Sequence, residues 1–149
     1  FDEAYSKALY AAGTYLPAPG DGVVFFSVND RDKEAALPIA RELRDLGFKL
    51  ISTRGTRDFL RQNGVEAERV FKVKEGRPNI VDRMVNGEIK LMINTPLGEE
   101  SHYDERIVGQ TAYRVGIALI TTLSAARAAV GAIKRIGQRP LQPLKLQEL

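Results

Sequence analysis

The stretch Leu50-Ile51-Ser52-Thr53-Arg54-Gly55-Thr56 decides the fold, because it has the pattern of a buried strand end, a short polar turn and a helix start. A helix N-terminus attracts anions through its unpaired N–H groups and its dipole. Thr53 and Thr56 add hydroxyl donors, and Gly55 allows a ligand to approach the backbone closely. The turn therefore predicts a binding site for a phosphate group. The alternative interpretation is an ordinary strand-to-helix turn in which Thr56 is the N-cap.

Apolar strand-like segments recur along the chain and alternate with segments of helical periodicity. The continuous apolar run 23–26 is typical of a strand buried on both faces of a sheet. Such alternation predicts parallel strands joined by right-handed crossovers, with helices on both faces. We expect an α/β fold of three layers, α/β/α, around a five-stranded parallel sheet with strands at 23–26, 48–51, 69–73, 91–93 and 115–120. The predicted helices are 29–47, 56–63, 79–86, 105–113 and 121 or 122 to 136, with a kink or local loosening at Pro38.

Two further segments flank this alternating region. Residues 1–16 have small residues at helical spacing, and the prolines and glycines of 17–22 break that helix. We interpret 1–16 as the last helix of a preceding domain, 17–22 as a linker and 23–136 as the domain itself. The tail 137–149 contains two prolines and no firm period, so we expect it to be extended or poorly ordered.

Composition limits the class of protein. The chain has 149 residues, of which 44% are hydrophobic and 28% charged, as is usual for a soluble domain. The net charge of +3 fits a small anionic ligand and does not call for nucleic acid. With no cysteine and a single histidine, His102, we expect neither a disulfide nor a metal site. No apolar run is long enough for a membrane span and no signal peptide is recognisable, so we expect a cytoplasmic protein.

Cationic and hydroxyl-bearing side chains follow the carboxyl ends of the predicted strands, where ligands bind in such sheets. Lysine offers a point charge and arginine a planar fork, and both suit phosphate. We assign to a phosphate group Lys33, Thr53, Arg54, Gly55, Thr56, Lys72 and Arg77, with Lys74 close by. An amide offers both donor and acceptor, so we assign Asn94, together with Thr95, to a ribose or base. The alternative interpretation is a set of solvated surface side chains.

No catalytic constellation accompanies these residues. His102 lies in a predicted loop beside Glu99, Glu100 and Asp104, and a solvated histidine is the simpler interpretation. No serine has an evident base partner, and there is no glycine-rich nucleotide-binding fingerprint. The residues therefore favour a small-molecule-binding module over an enzyme.

An ordered set of motifs resembles one known family. The set comprises Phe26-Ser27-Val28 followed by Asp32-Lys33, then Thr53-Arg54-Gly55-Thr56, Lys72-Val73-Lys74-Glu75-Gly76-Arg77-Pro78, Asp82-Arg83 and Ile93-Asn94-Thr95-Pro96. Together these motifs resemble the C-terminal allosteric domain of the carbamoyl phosphate synthetase large subunit, which belongs to the methylglyoxal synthase-like superfamily. The resemblance covers nearly the whole chain, and the run 72–78 is its most specific part.

The resemblance implies an effector pocket at the strand ends. In the family that pocket takes nucleotide monophosphates, chiefly UMP as an inhibitor and IMP as a weaker activator. The matching positions for the phosphate are Lys33, Thr53, Thr56 and Lys72, with Asn94 nearby. Pro96 stands where some members have a threonine, which leaves the identity of the effector open. The run Leu119-Ile120-Thr121 lacks the carboxylate with which some members bind ornithine, so no ornithine site is expected.

The resemblance also implies that the chain is part of an ATP-dependent ligase that makes carbamoyl phosphate for pyrimidine and arginine synthesis. The expected partners are the upstream synthetase domains and a small glutaminase subunit. ATP and Mg or Mn are expected in the synthetase domains, and this domain is expected to have no cofactor, no catalytic residue, and no nucleic-acid or membrane partner.

Two alternatives stay open. One is a stand-alone methylglyoxal synthase-like lyase, although the loop 96–100 lacks the aspartate of that enzyme and no histidine occurs in 115–122. The other is a structural domain that forms a homo-oligomer through its alanine-rich last helix.

Overall fold

The computed structural model of the chain describes residues 16–95 and 102–138. A five-stranded parallel sheet has the strand order β3-β2-β1-β4-β5. The strands are β1 (Val23–Ser27), β2 (Lys49–Ser52), β3 (Glu68–Arg69), β4 (Ile89–Asn94) and β5 (Ala118–Ile120). The helices are α1 (Lys33–Asp45), α2 (Arg54–Gln62), α3 (Ile80–Val85), α4 (His102–Val115) and α5 (Leu123–Gly137), and a 3-10 turn (Asp30–Asp32) precedes α1.

The sheet has an apolar core on each face. Side chains alternate between the faces of a strand, so Val24 and Phe26 of β1 join one core and Phe25 joins the other. The first core includes buried residues of α1, α2 and α5, and the second includes buried residues of α3 and α4. The predicted three-layer fold and five-stranded parallel sheet are therefore confirmed.

Several predicted boundaries are wrong. The predicted strand 69–73 ends at Arg69, because the Lys72 N–H donates to the Glu75 carboxylate at 2.8 Å and Phe71 makes only an isolated bridge with Asn79. α4 begins at His102, so the predicted loop does not extend to residue 104. The predicted strand 115–120 begins only at residue 118, since α4 continues to Val115.

The helix starts also differ from prediction. Asn29 caps the 3-10 turn, and α1 then runs unbroken through Pro38. Thr53 occupies the N-cap position of α2, so the prediction that Thr56 is the N-cap is wrong. Thr56 instead lies in the first turn of the helix. The prediction that Asn79 begins a helix is confirmed, and so is the prediction that the last helix starts at residue 121 or 122, since residue 122 is its N-cap.

The described chain enters and leaves the fold at the amino edge of the sheet. Leu16 is buried, and the segment after it leads into β1. Gly137, at the end of α5, approaches this segment so closely that a Cβ atom on it would lie 2.7 Å from Pro19 Cγ. The predicted helix 1–16, except for Leu16, and the tail from 139 lie outside the described residues, so their assignments stay predictions.

Candidate anion-binding site

Hydroxyl groups tie together the carboxyl ends of three neighbouring strands. The hydroxyls of Ser27 and Thr53 share a hydrogen bond of 2.7 Å between the ends of β1 and β2. On the other side of β1, the Thr95 N–H donates to the Ser27 carbonyl at 3.0 Å, and the Asn29 N–H donates to the Thr95 hydroxyl at 2.8 Å. These bonds fix the loops that leave β1, β2 and β4 relative to one another.

The first turn of α2 is anchored to the end of β1. The Thr56 hydroxyl accepts a hydrogen bond from the Val28 N–H at 3.1 Å and donates to the Val28 carbonyl at 3.2 Å. Thr56 is buried, so this contact is shielded from water. Tertiary contact through Thr56 therefore holds the start of the helix in place.

The first three backbone N–H groups of α2 have no hydrogen-bond acceptor in the described part of the chain. Thr53 makes no side-chain cap, and the first turn contains no acidic residue. The first intrahelical bond runs from the Arg57 N–H to the Thr53 carbonyl at 2.9 Å. Within 16–95 and 102–138, no group accepts a hydrogen bond from the N–H of Arg54, Gly55 or Thr56. A helix start of this kind offers donors to an anion.

A shielded cation lies beside these donors. The Lys33 Nζ atom is 4.0 Å from the position that a Cβ atom on Gly55 would take. Lys33 Nζ also donates to the Val28 carbonyl at 3.2 Å and forms an ion pair with Asp30. Its side chain is only 14% exposed. We call Lys33 together with the start of α2, residues 54–56, the anion seat.

Two buried groups near α2 have incomplete hydrogen bonding in the described part of the chain. Ser52 Oγ, at the end of β2, has no partner there. Arg57 Nε has no partner of good hydrogen-bond geometry, although it lies 3.1 Å from the Asp58 carboxylate. The short distance indicates an ion pair with poor alignment rather than an isolated charge.

The other predicted site residues follow neighbouring strands of the sheet or belong to the cluster of the strand ends. Asn94 ends β4, directly opposite Ser27 in the sheet register, and is partly buried. Lys72 and Lys74 lie in the turn after β3. The hydrogen-bonded cluster of the strand ends includes Lys33, Thr53, Thr56 and Thr95, and Arg54 and Gly55 adjoin it through α2.

Arg77 contacts the first turn of α3 rather than the start of α2. Its Nη2 and Nε atoms lie 2.6 and 3.2 Å from the two carboxylate oxygens of Asp82. The hydrogen bond from the Asn79 backbone N–H lowers the pKa of Asp82 most, and the hydrogen bond from Arg77 lowers it further. The Arg77–Pro78 peptide bond in this segment is cis.

Sequence reasoning missed two residues of the site. Ser27 links Thr53 to the end of β1, and its position at the end of the first buried strand was the available signal. Asp30 pairs with Lys33, and the hydrogen bond and charge of Lys33 lower the pKa of that carboxyl. Their i, i+3 spacing alone does not distinguish this pair from a surface contact.

The described ranges contain neither a candidate metal site nor a candidate membrane span. No group of three or more His, Asp and Glu side chains there could hold a metal ion. None of the helices at 16–95 and 102–138 combines the length and apolar character that crossing a bilayer requires.

Sequence comparison identifies similar proteins over most of the chain. Residues 35–121 match the family model of the MGS-like domain. The chain is 48% identical to the carbamoyl phosphate synthase large chain of Acidobacterium capsulatum, over 97% of this chain and 13% of that protein. It is 46% identical to that of Archaeoglobus fulgidus, over 99% of this chain and 14% of that protein. The Methanopyrus kandleri protein named as the C-terminal section of this large chain is 48% identical, over 93% of this chain and 26% of its own length.

Solved structures share the fold. The crystal structure of methylglyoxal synthase from Elizabethkingia anophelis superposes with a TM-score of 0.59 at 14% identity, over 76% of this chain and 79% of that one. The crystal structure of ForH gives a TM-score of 0.51 at 16% identity, over 81% of this chain and 84% of that one. At these identities the likeness establishes the fold alone.

Proposed function

The chain belongs to the MGS-like domain family, and from that premise we propose that it is the regulatory domain of a carbamoyl phosphate synthase large chain that binds a nucleotide monophosphate of the UMP or IMP type. The chain spans about one eighth of the full-length large chains it matches (13–14%). In the proposal, the rest of such a large chain holds the ATP- and metal-dependent synthetase chemistry, and a small glutaminase subunit supplies nitrogen.

The observation that carries the proposal is the anion seat itself. The N–H groups of Arg54, Gly55 and Thr56 have no acceptor among residues 16–95 and 102–138, and the Lys33 ammonium lies against Gly55. A cation beside the positive end of a helix dipole is unfavourable on its own. A phosphate at this point would pair with the cation and accept hydrogen bonds from the helix start.

In this proposal, the rest of a mononucleotide lies along the carboxyl edge of the sheet, where ligands bind in parallel sheets. Asn94 ends the strand on the other side of β1, where its amide can serve a ribose or base as donor and acceptor. Lys72 follows the outer strand β3 and approaches from the opposite side in this proposal. The Thr95 hydroxyl accepts the Asn29 N–H, so it holds the loop after β1 in position.

Regulation rather than chemistry fits the way in which the hydroxyls are used. The hydroxyls of Thr53 and Thr56, at the start of α2, bond to Ser27 and Val28 and hold the scaffold in position. A ligand that binds two states of a larger enzyme differently shifts their balance, commonly by about 1–3 kcal/mol. The anion seat would supply that differential contact.

Calorimetric titration of the chain with UMP and with IMP tests the proposal. We expect saturable binding, which Lys33→Ala and Lys72→Ala each weaken by about 1.5–3 kcal/mol, or roughly 10- to 150-fold, because each removes a charge-assisted contact. Lys134→Ala is the matched control, because Lys134 pairs with Glu42 across α5 and α1 and is not part of the anion seat.

Two results would contradict the proposal. One is the absence of heat with either nucleotide at millimolar concentration, which would favour a structural domain. The other is production of methylglyoxal from dihydroxyacetone phosphate, which would favour a lyase of the same fold. Binding that Lys72→Ala leaves unchanged would remove Lys72 alone from the site.

A further inference from the structure

The cation of the anion seat already has a carboxylate partner. Asp30 Oδ1 lies 2.5 Å from Lys33 Nζ. The two side chains differ sharply in exposure, because that of Asp30 is 100% exposed and that of Lys33 is 14% exposed. The ion pair therefore joins a shielded cation to an anion in open solvent.

The backbone that carries Asp30 is held in place by its neighbours. The Asn29 side chain accepts a hydrogen bond from the Asp32 N–H at 2.9 Å and donates to the Asp32 carboxylate at 3.0 Å. The Asn29 N–H is bonded to Thr95. The 3-10 turn is thus fixed at its start, and the fully exposed Asp30 side chain is held only by its ion pair with Lys33 among the contacts described for it.

A phosphate in the anion seat would compete with this carboxylate. An ammonium group has three donors, and the Val28 carbonyl and Asp30 each take one. A phosphate on the third donor would lie beside the Asp30 carboxylate on the same nitrogen, and two anions so close repel each other. Because Asp30 is solvent-exposed, its carboxylate can leave Lys33 and be hydrated at small cost.

We propose that Asp30 is a built-in competitor, which neutralises Lys33 in the empty anion seat and is displaced when a phosphate binds. Asp30 is then an affinity-setting residue of the site rather than a ligand contact. This inference rests on the proposed function, because it requires that the anion seat take phosphate.

Titration of Asp30→Asn with inorganic phosphate and with UMP tests the inference. At low ionic strength we expect the variant to bind both about 3- to 10-fold more tightly than the unaltered chain. The gain should shrink when salt is added, because the competing charge is exposed. Asp45→Asn is the matched control, since it also removes one exposed carboxylate paired with a neighbouring cation, Arg44, but at the far end of α1.

A second measurement follows Asp30 directly. Carbon-13 NMR of the Asp30 carboxyl reports its pKa. Without ligand, Lys33 holds that pKa below its usual value. On saturation with phosphate the pKa of Asp30 should rise, because the carboxylate loses its cation and gains an anionic neighbour.

The outcomes separate this inference from the proposed function. Unaltered affinity in Asp30→Asn, an equal gain in Asp45→Asn, or a pKa of Asp30 that stays low with phosphate bound would overturn the inference while leaving phosphate binding intact. Failure of both the unaltered chain and Asp30→Asn to bind phosphate or UMP would overturn the anion seat and the inference together.

Discussion

The starts of α2 and α3 meet the same requirement in opposite ways. Asn79 accepts hydrogen bonds from the Val81 and Asp82 N–H groups at 3.0 and 3.1 Å, and the Asp82 carboxylate accepts the Asn79 N–H at 2.8 Å. α3 thus begins with a complete capping box and an acidic first turn. α2 begins without a side-chain cap and without an acidic residue.

The difference shows how a protein can leave a helix end available to a ligand. α3 has only six residues, so its start depends on local capping. α2 is secured instead by the two hydrogen bonds between Thr56 and Val28, which involve no N–H of the first turn. Tertiary anchoring therefore replaces capping at α2, and its donors stay available beside Lys33.

The largest expected effect comes from making the start of α2 resemble that of α3. In Thr53→Asp, a carboxylate at the N-cap would accept the helix N–H groups and repel a phosphate. We expect UMP affinity to fall more than about 100-fold, or roughly 3 kcal/mol, in calorimetric titration. Thr53→Ser, which retains the hydroxyl bonded to Ser27, should bind nearly as well as the unaltered chain. Equal affinity in Thr53→Asp would mean that the anion binds elsewhere.

A smaller effect should follow from removing the side-chain cap of α3. Asn79→Ala removes both cap hydrogen bonds of the side chain, so we expect the free energy of unfolding to fall by about 1 kcal/mol. Urea denaturation measures this loss, and Asn79→Asp should restore most of it because aspartate also caps well. UMP affinity should not change in either variant. A loss of UMP binding in Asn79→Ala would indicate that the two helix starts act as one site.

The smallest expected effect is a pH dependence of the stability that Asp82 contributes at the capped start of α3. The fold lowers the pKa of Asp82, so the ionised carboxylate stabilises the folded state at every pH above the ordinary aspartate pKa of about 3.9. This stabilisation is lost as the pH falls through the lowered pKa of the folded state. The urea midpoint of Asp82→Asn should therefore lie below that of the unaltered chain at pH 7, and the two should converge below about pH 3.9. A difference that persists or grows in acid would show that the loss in Asp82→Asn is not electrostatic.

The sequence predicted the sheet well because its signals are local. The apolar run at 23–26 and the alternation of strands and helices follow from burial on both faces, which any parallel sheet requires. The short length of β3 was not predictable, since it depends on competition between the Glu75 carboxylate and a neighbouring strand for the Lys72 N–H. The strand propensity of residues 69–73 carries no information about a side-chain acceptor such as the Glu75 carboxylate.

For the candidate residues, the sequence predicted which strand ends carry them but not the contacts that they make. The turn after β2 and Lys33 do come together, as strand ends in a parallel sheet must. Sequence reasoning made the Thr56 hydroxyl a ligand donor, but its bonds to Val28 form only when the loop after β1 lies across α2. The pairing of Asp30 with Lys33 likewise depends on the 3-10 turn, which no periodicity indicates.

The close approach of Gly137 to Pro19 has a consequence for engineering. The segment before β1 and the end of α5 both lie at the amino edge of the sheet, whereas the anion seat is formed at the carboxyl edge. Domains whose ends lie close together tolerate insertion into a surface loop of another protein, so we expect two short joints to suffice for this one. The anion seat would point away from the two joints, so the host would not cover it.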